Sequence, residues 1–564
     1  MKNKIANNFC KSHNNLNFNL NTDENIKLAY LNSNLWKLSI RIILPSLLLT
    51  LLLGIYIFID QMLIINLVPK DGNNYLRNYF DSVGKLYLYE KIVNFVNETK
   101  QEIVSINNKD FIVYASNQVG VFSLIVLSFG YLISAGGAVL FSKYSATQEF
   151  DLRRKVIIST IYSSFIFSII STVIMIVIQN YILSAMMPSS QTIKDDVLQG
   201  ISTSITVDEL RNYFDTYYDG IVYQASRYVY FVNGSIIFSC FTNLIVFYLR
   251  GENNSLIPTI IGVICNFLNI ILDVIFIIFA KIGIMGGGLA TFLGQFINFS
   301  TLIGYLYYLN HKNKTTILFS YLKDYKIDFK IVLNSIMLGS STFLRELSLA
   351  IANIVYVPIF MNTVGNIDNN ALLSFARLAA SPIYNLFFFA IFGIIDGLRP
   401  IISYNYSIKR YDRVKKTFWI GTIYSLIYSI IVITFVFALV PNVNSILVAL
   451  NVKDNYDKHN LLILLASMFL QFPFISLSIS GLAIFQSANK KLMNTILSIM
   501  QGAITFYPVL FTMSSIATST SSIFVMVFTG FTNILLSSII IFICTILFLY
   551  KYNNKQSFIS KKYS

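Results

Sequence analysis

The sequence has few charged residues for its length. Of its 564 residues only 12% are charged, whereas 55% are hydrophobic, and the mean hydropathy is +0.63. A soluble domain carries about 25% charged residues, so a chain this apolar cannot keep its whole surface wetted. It must expose apolar side chains to lipid, and we expect a polytopic integral membrane protein.

Cysteine and histidine are also scarce, and they form no site pattern. The four cysteines have no CxxC pair and predict neither a disulfide framework nor a zinc site. The three histidines, His13, His311 and His459, all fall in polar segments. A membrane-embedded hydrolase or metalloenzyme needs histidine or a metal cluster at depth. We therefore expect neither an enzyme nor a cofactor beyond a coupling ion.

Twelve long apolar runs are present, and each can cross roughly 30 Å of hydrocarbon at 1.5 Å per residue. The runs of the first half are 40–68, 114–141, 156–186, 221–249, 256–280 and 285–309. Those of the second half are 331–360, 371–403, 418–440, 461–485, 493–513 and 521–549. The predicted fold is all-α, with about twelve transmembrane helices.

The polar segments between these runs divide the chain. We predict a disordered tail 1–35, a six-helix lobe 36–310, a linker 311–330, a second six-helix lobe 331–550 and a tail 551–564. The first lobe holds two long outer segments, 69–115 and 188–220. Residues 83–106 within the first of these are amphipathic and predict a surface helix.

Lysine and arginine concentrate in alternate short loops and account for the net charge of +15. One set of loops holds Lys143, Arg153, Arg154, Lys155, Arg250, Lys312, Lys314, Lys323, Lys326, Lys330, Lys409, Arg410, Arg413, Lys415, Lys416, Lys490 and Lys491. The other short loops hold few basic residues. This distribution predicts that both termini are cytoplasmic in a plasma-membrane protein, and it gives no reason to expect a nucleic-acid partner.

An internal repeat is visible in the same loops. The chain reads FDLRRK after the second run and YDRVKK after the eighth, and LRGENN after the fourth and FQSANK after the tenth. Matching positions on the same side indicate a parallel repeat. We expect two six-helix bundles around a central cavity.

Several segments resemble the multidrug and toxic compound extrusion (MATE) family, bacterial type. GLRPIISYNYSIKRYDRVKK (397–416) is similar to the segment after helix 8 of that family, and LNIILDVIFIIFAKIGIMGGGLATFLGQ (268–295) to its helix 5–6 segment. YLRGENNSLIPTIIG (248–262) resembles the helix 4–5 loop of that family, and IYIFID (55–60) resembles its helix 1. The four segments occur along the chain in the same order as in the family. The chain departs from the family at Arg399, where glutamine is usual, and at Ser403 and Ser407, where glycines are usual.

Acidic residues inside the apolar runs are candidate functional groups, because a charged carboxylate in hydrocarbon costs several kcal/mol. Asp60 on helix 1 and Asp273 on helix 5 both lie in the outer half of the first lobe. Thr291 begins helix 6 at a similar depth. Asn269 lies one turn before Asp273 on a face that also carries Asn266, and Tyr56 lies one turn before Asp60.

These residues predict a cation site built from carboxylate, amide and hydroxyl oxygens. Two carboxylates that share a site retain a proton more readily than one does alone, and the same oxygens suit Na⁺. The resemblance to MATE transporters implies that Asp60, Asn269, Asp273 and Thr291 form the cation site of the N-terminal lobe. The spacing on helix 1 adds the phenol of Tyr56 near that site. The alternative is that these groups only join helices by hydrogen bonds.

Two further acids lie in the second lobe. The resemblance implies that Glu346, on helix 7, faces the substrate cavity, whereas the adjacent Arg345 favours a structural ion pair. Asp396 and Arg399 lie one turn apart on helix 8 and predict a local ion pair. Helix 10 carries no acid, which favours coupling through the first lobe.

The best interpretation is an H⁺- or Na⁺-coupled antiporter. It would export small organic, often cationic, compounds by alternating access, as a monomer in the lipid bilayer. One alternative is a flippase for a lipid or lipid-linked substrate, whose cavity would be strongly basic. Another is a non-transporting membrane receptor or scaffold, against which the repeat and the intramembrane acids argue.

Overall fold

The computed structural model places the apolar runs in long helices. It describes residues 27, 30–31, 33–99, 106–187, 205–318, 321, 326–367, 382–439 and 458–563, and no strand occurs within these ranges. Eleven helices there are long and apolar enough to cross a bilayer, and a twelfth crossing is a helix pair bent by 41°. The prediction of an all-α protein with about twelve spans is confirmed.

The first lobe contains spans 1 to 6. They are Leu35–Leu67 (span 1), Asn108–Ala146 (span 2), Phe150–Ala185 (span 3), the bent pair Val207–Gly234 and Ile236–Gly251 (span 4), Leu256–Val274 extended by the π-helix Ile275–Phe279 (span 5), and Ile284–His311 (span 6).

The second lobe contains spans 7 to 12, of which spans 10 to 12 are interrupted. They are Phe329–Ile367 (span 7), Pro382–Ser407 (span 8), Tyr411–Leu439 (span 9), Lys458–Phe469 with Phe472–Ser487 (span 10), Lys491–Ser498, Met500–Ile504 and Phe506–Thr520 (span 11), and Ile523–Val527 with Thr529–Tyr563 (span 12). The predicted start of span 8, at 371, lies outside the described residues.

Helices extend further than the apolar runs that predicted them. Span 4 begins at Val207 rather than at 221, within the predicted outer segment 188–220. Thr206 caps the start of span 4 in a capping box. The Thr206 hydroxyl accepts a hydrogen bond from the backbone N–H of Glu209, and the Glu209 carboxylate accepts one from the backbone N–H of Thr206. The apolar pattern identifies only the part of a helix that lies in the hydrocarbon region, so it does not predict the polar turns that extend the helix beyond that region.

The segment before span 2, predicted to lie outside the membrane on the outer side, is also helical in part. Helices Tyr75–Ser82 and Leu86–Thr99 follow span 1, so the predicted amphipathic helix is present in its described part. Phe80 is fully buried and stacks on Tyr213 of span 4, with ring centroids 4.9 Å apart. The two short helices therefore pack on the extended part of span 4.

The loops that the sequence pairs as a repeat have matching backbone geometry. Gln148 after span 2 and Lys409 after span 8 have φ of 60° and 62°, and Asn253 after span 4 and Asn489 after span 10 have φ of 62° and 58°. In each loop the next N–H bonds the carbonyl five residues back, which is a Schellman helix end. This agreement is what a parallel repeat requires. We call the side of the molecule that carries these four loops the basic face.

The lobes meet mainly along two helix pairs, span 1 with span 8 and span 2 with span 7. An exchange of the lobes would convert one pair into the other. Glycines allow the close approach: a Cβ on Gly136 would overlap the backbone of Ser335, and a Cβ on Gly339 would overlap that of Leu132. Small residues at such contacts let membrane helices pack backbone to backbone.

The segment just before span 1 belongs to the folded protein, although the tail was predicted to reach residue 35. Tyr30 is fully buried on the basic face, where its hydroxyl donates to the Arg250 carbonyl of the first lobe. Its ring stacks on Tyr404 of the second lobe at 4.9 Å. Arg413 bonds the carbonyls of Tyr30 and Ser33. At the other end, span 12 continues as helix to Tyr563, through most of the predicted tail 551–564.

Candidate cation site and cavity

A polar cluster joins spans 1, 4 and 6 inside the first lobe. Asp60 is 4% exposed, and the hydroxyl of Tyr228 donates to its Oδ2 at 2.5 Å. The hydroxyls of Tyr56 and Thr291 are hydrogen-bonded at 2.7 Å, and Thr291 Oγ1 lies 3.5 Å from the Tyr228 hydroxyl. Tyr228 therefore holds one oxygen of the Asp60 carboxylate directly, and Thr291 and Tyr56 continue the chain of hydroxyl groups from Tyr228.

Asp273 and Asn269 of span 5 complete the cluster. Asp273 is fully buried and Asn269 is 3% exposed. The carboxyl groups of Asp60 and Asp273 are near enough to share a hydrogen bond when one of them carries a proton. Among the described residues, Asp273 Oδ1, Asp273 Oδ2, Asp60 Oδ1 and Asn269 Oδ1 have no hydrogen-bond donor. Four buried oxygens without a donor therefore lie in one small region.

Glycines of span 6 give this cluster its room. A Cβ on Gly287 would lie 3.1 Å from Asp60 Oδ1 and 3.0 Å from the Tyr228 ring. A Cβ on Gly294 would lie 2.5 Å from Asn269 Nδ2. Gly287, in the GGG run that opens span 6, and Gly294, two turns further on, thus let polar side chains of spans 1, 4 and 5 reach the same region.

The structure brings together all five residues predicted for the cation site: Asp60, Asn269, Asp273, Thr291 and Tyr56. Their role remains a prediction. Sequence reasoning missed Tyr228, because nothing in the spacing of span 4 separates it from Tyr223 and Tyr230, which are 49% and 50% exposed. No group of three or more His, Cys, Asp or Glu side chains that could hold a metal ion occurs in the part of the chain that the structure describes.

A cavity of about 160 Å³ opens beside the cluster. That volume has room for on the order of ten water molecules. Nearly all of its lining comes from the first lobe. Most of the lining surface is apolar, and amide and hydroxyl groups lie among the apolar side chains. The polar lining residues are Thr50, Tyr56, Asp60, Gln61, Ser123, Tyr131, Tyr228, Ser235, Ser239, Thr242, Asn243, Arg250, Asn266, Thr291, Gln295, Asn298 and Asp396.

The end of the cavity toward the basic face carries charge from both lobes. Asp396 of span 8 pairs with Arg399 at 2.6 Å, as predicted from their spacing, and with Arg250 of span 4 at 3.4 Å. The Tyr131 hydroxyl lies 3.3 Å from the same carboxylate. The sequence placed Arg250 in a loop, but it is only 3% exposed. An inter-lobe ion pair is therefore buried at this end.

Glu346, the predicted substrate-cavity acid, is not among the residues that line this cavity. Its Oε1 accepts two hydrogen bonds from Arg345, at 3.0 Å from Nε and at 2.5 Å from Nη2. The Arg345 guanidinium also lies over the Phe392 ring, 4.5 Å from its centroid. The geometry matches the structural ion pair that was the alternative for Glu346.

Curated sequences contain relatives of this chain along nearly its whole length. An uncharacterized protein of Mycoplasmoides gallisepticum is 25% identical over 540 residues, covering 93% of this chain and 90% of the relative. The uncharacterized protein MG447 of Mycoplasma genitalium is 27% identical over 524 residues, covering 91% of this chain and 92% of the relative. No protein-family model matches the sequence.

Solved structures of transporters share the fold. A MOP superfamily transporter from Pyrococcus furiosus aligns with a TM-score of 0.69 at 14% identity, covering 94% of this chain and 98% of that one. A multidrug resistance MATE family transporter of the MOP superfamily, in an outward-facing conformation, aligns with a TM-score of 0.67 at 14% identity and covers 93% and 98%. The chain therefore has the fold of the MATE transporters of the MOP superfamily.

Proposed function

We propose that this protein is a cation-coupled antiporter that exports small organic, often cationic, compounds by alternating access. The observation that carries the proposal is the pair of buried carboxyl groups, Asp60 and Asp273, with three oxygens that no described residue satisfies. The fold supports it, since structures of this architecture include transporters.

Two bare carboxylates side by side in a low-dielectric interior repel each other and lack solvation. A proton shared between them supplies the missing donor. A sodium ion would instead take the open oxygens of Asp60, Asp273 and Asn269 as ligands, because hard cations prefer such oxygens. Either ion removes the same cost, so the site suits H⁺ or Na⁺ and favours a loaded state over an empty one.

Loading of the site is coupled to substrate release through span 1. Asp60 holds span 1 to span 4 through Tyr228, and span 1 also packs on span 8 of the other lobe. Span 1 contains Pro45, which lacks a backbone N–H and allows a helix to bend. Neutralisation of the acid pair would then let span 1 repack and shrink the cavity. Cation and substrate act on one two-state equilibrium in this scheme.

The basic face is the cytoplasmic face of a plasma-membrane protein in this proposal, because lysine and arginine are retained there. Substrate enters from that side when the Arg250–Asp396 ion pair opens. The coupling ion enters from the opposite face, toward which Asp60 and Asp273 lie.

A lipid flippase was the main alternative, and it predicts a strongly basic cavity. The charged side chains that line the described cavity are Asp60, Asp396 and Arg250. Two acids and one base do not make a strongly basic lining, so the structure gives this alternative no particular support.

The test is efflux of a fluorescent organic cation from proteoliposomes under separate pH and Na⁺ gradients. We expect one of the two gradients to accelerate efflux and the other to have little effect. Efflux that proceeds at the same rate with either gradient, with both and with neither would contradict coupled antiport.

A further inference from the structure

Arg250 is poorly paired for a buried arginine. A guanidinium has five N–H donors, yet among the described residues Arg250 makes one side-chain hydrogen bond, from Nη1 to Asp396 Oδ2 at 3.4 Å, and its Nε has none. Arg399 is better paired, because each of its three nitrogens donates a hydrogen bond: to Asp396 and Gln486 at 2.6 Å and to Thr342 at 2.9 Å. Arg250 therefore retains donors, and it lines the cavity.

The charge around Arg250 is not balanced. Arg345 is paired with Glu346, and Asp396 is bonded closely by Arg399. This leaves the charge of Arg250 without a carboxylate of its own among the described groups of the cluster. The Phe247 ring, 5.4 Å from the Arg250 guanidinium carbon, supports the guanidinium plane. The group of charged side chains around Arg250 therefore has one excess positive charge, since it combines three arginines with the two carboxylates of Asp396 and Glu346.

The cavity separates the positive charge of Arg250 from the cluster that contains Asp60 and Asp273. Gly120 lies beside Gln61 near the acid end, and Tyr131 lies beside Asp396 near the Arg250 end. Both are on span 2, and eleven residues of helix correspond to about 16 Å. Between the two ends the lining offers amides and hydroxyls such as Asn243, Asn266 and Ser239.

We propose that Arg250 forms an oxyanion subsite, which binds the phosphate group of a small zwitterionic substrate. The inference rests on the proposed transport function and narrows its substrate class. A guanidinium binds such groups by donating two parallel N–H···O hydrogen bonds to them. Asp396 accepts only one hydrogen bond from Arg250, and it is long, at 3.4 Å. The arriving oxyanion replaces Asp396 as the partner of Arg250, and Asp396 keeps Arg399. Substrate binding thereby loosens the ion pair that joins the lobes.

The test is equilibrium binding to the purified full-length protein in detergent, which does not require transport. The probes are choline, phosphocholine, inorganic phosphate and dihexanoyl-phosphatidylcholine. We expect phosphocholine to bind at least about tenfold more tightly than choline, with phosphate as its competitor. Tighter binding of dihexanoyl-phosphatidylcholine than of choline also supports the subsite. Whichever of phosphocholine and dihexanoyl-phosphatidylcholine binds more tightly shows whether the phosphate group belongs to a soluble substrate or to a lipid.

Two variants of opposite effect make the test sharp. Arg250→Gln should remove the preference for phosphocholine over choline. Asp396→Asn should strengthen phosphocholine binding several-fold, because the competing carboxylate is gone, and a misfolded protein cannot give that result. Arg154→Gln, on a partly exposed arginine paired with Asp151, should bind like the unmodified protein. Binding of neither phosphate nor phosphocholine, an unchanged preference in Arg250→Gln, or weaker binding in Asp396→Asn would overturn the proposal.

If binding behaves as expected and efflux shows no gradient dependence, the subsite stands and the coupled antiport does not. If efflux is gradient-dependent and phosphocholine binds no better than choline, the antiporter stands and the oxyanion subsite does not.

Discussion

Tyr228 of span 4 donates a 2.5 Å hydrogen bond to one carboxylate oxygen of Asp60 on span 1, 168 residues away in sequence. The second oxygen of Asp60 has no donor among the described residues. One oxygen of this carboxylate is thus held by the protein and the other remains open toward Asp273. In the proposed function this division would let Asp60 bind an ion without losing its position. Asp273 has no hydrogen-bond donor at either oxygen among the described residues.

Removal of either acid should abolish gradient-driven efflux. In Asp60→Asn or Asp273→Asn the amide can neither take up a proton nor balance a cation, so the site no longer responds to the gradient. The protein should still fold, because in Asp60→Asn the amide oxygen can accept the Tyr228 bond that the carboxylate accepts now. Efflux from proteoliposomes measures this, with Asp151→Asn, an exposed surface acid, as the control. Efflux at the unmodified rate in both variants would rule out the cluster as the coupling site.

Tyr228→Phe should destabilise the protein and reduce efflux less than Asp60→Asn does. The variant leaves a buried carboxylate oxygen without its donor, at a cost of about 1–3 kcal/mol. The matched control is Tyr230→Phe, two residues along the same helix, where the ring is 50% exposed. Thermal unfolding in detergent should show a lower midpoint for Tyr228→Phe alone. Equal midpoints for the two variants would show that the bond contributes nothing to stability.

The sequence predicted much of this site because charges stand out in apolar runs. Asp60 and Asp273 are conspicuous for that reason, and helical spacing places Asn269 and Tyr56 near them. Tyr228 and Arg250 were not identified, since tyrosine is common along span 4 and an arginine at the end of a run is normally a loop residue. Tyr228 and Arg250 belong to the site because they contact residues of distant spans. The local sequence pattern contains no information about such contacts. The burial of Tyr30 escaped prediction in the same way, because its partners Tyr404 and Arg413 lie in the other lobe.

Topology can be tested with single cysteines in a Cys-free background. We expect an impermeant maleimide to label Glu98→Cys, on the helix Leu86–Thr99, in intact cells. It should label Lys415→Cys, on the basic face, only after the cells are permeabilised. Labelling of Lys415→Cys in intact cells without labelling of Glu98→Cys would invert the proposed orientation.

Gly339→Ala should disrupt the contact between spans 2 and 7. The added Cβ would overlap the Leu132 carbonyl oxygen, which is backbone and cannot rotate away, so the helices must separate. Overpacking of this kind costs about 1–3 kcal/mol and should lower the thermal midpoint. Gly304→Ala is the control, because nothing lies within 4 Å of the Cβ that it would add. Equal midpoints for Gly339→Ala and Gly304→Ala would mean that the lobes do not depend on this contact.

Tyr30→Ala should loosen the closure of the basic face. Tyr30 contacts both lobes at once, by its bond to the Arg250 carbonyl and its stacking on Tyr404, so it stabilises only the arrangement in which the lobes meet there. Ser403 reports on that arrangement, because it is 1% exposed and its hydroxyl donates to the Val139 carbonyl of the other lobe at 3.1 Å. Ser403→Cys in a Cys-free background should therefore react with maleimide faster when Tyr30 is replaced.

Arg413→Gln should act in the same direction as Tyr30→Ala, since Arg413 holds the segment by the carbonyls of Tyr30 and Ser33. Tyr550→Ala, on a side chain that is 67% exposed, is the control and should leave the labelling rate unchanged. A substrate that opens the basic face should increase the rate of maleimide labelling at Ser403→Cys in the control, toward the rate seen in Tyr30→Ala. Equal labelling rates in Tyr30→Ala, Arg413→Gln and the control would show that the segment covers the basic face without holding it closed.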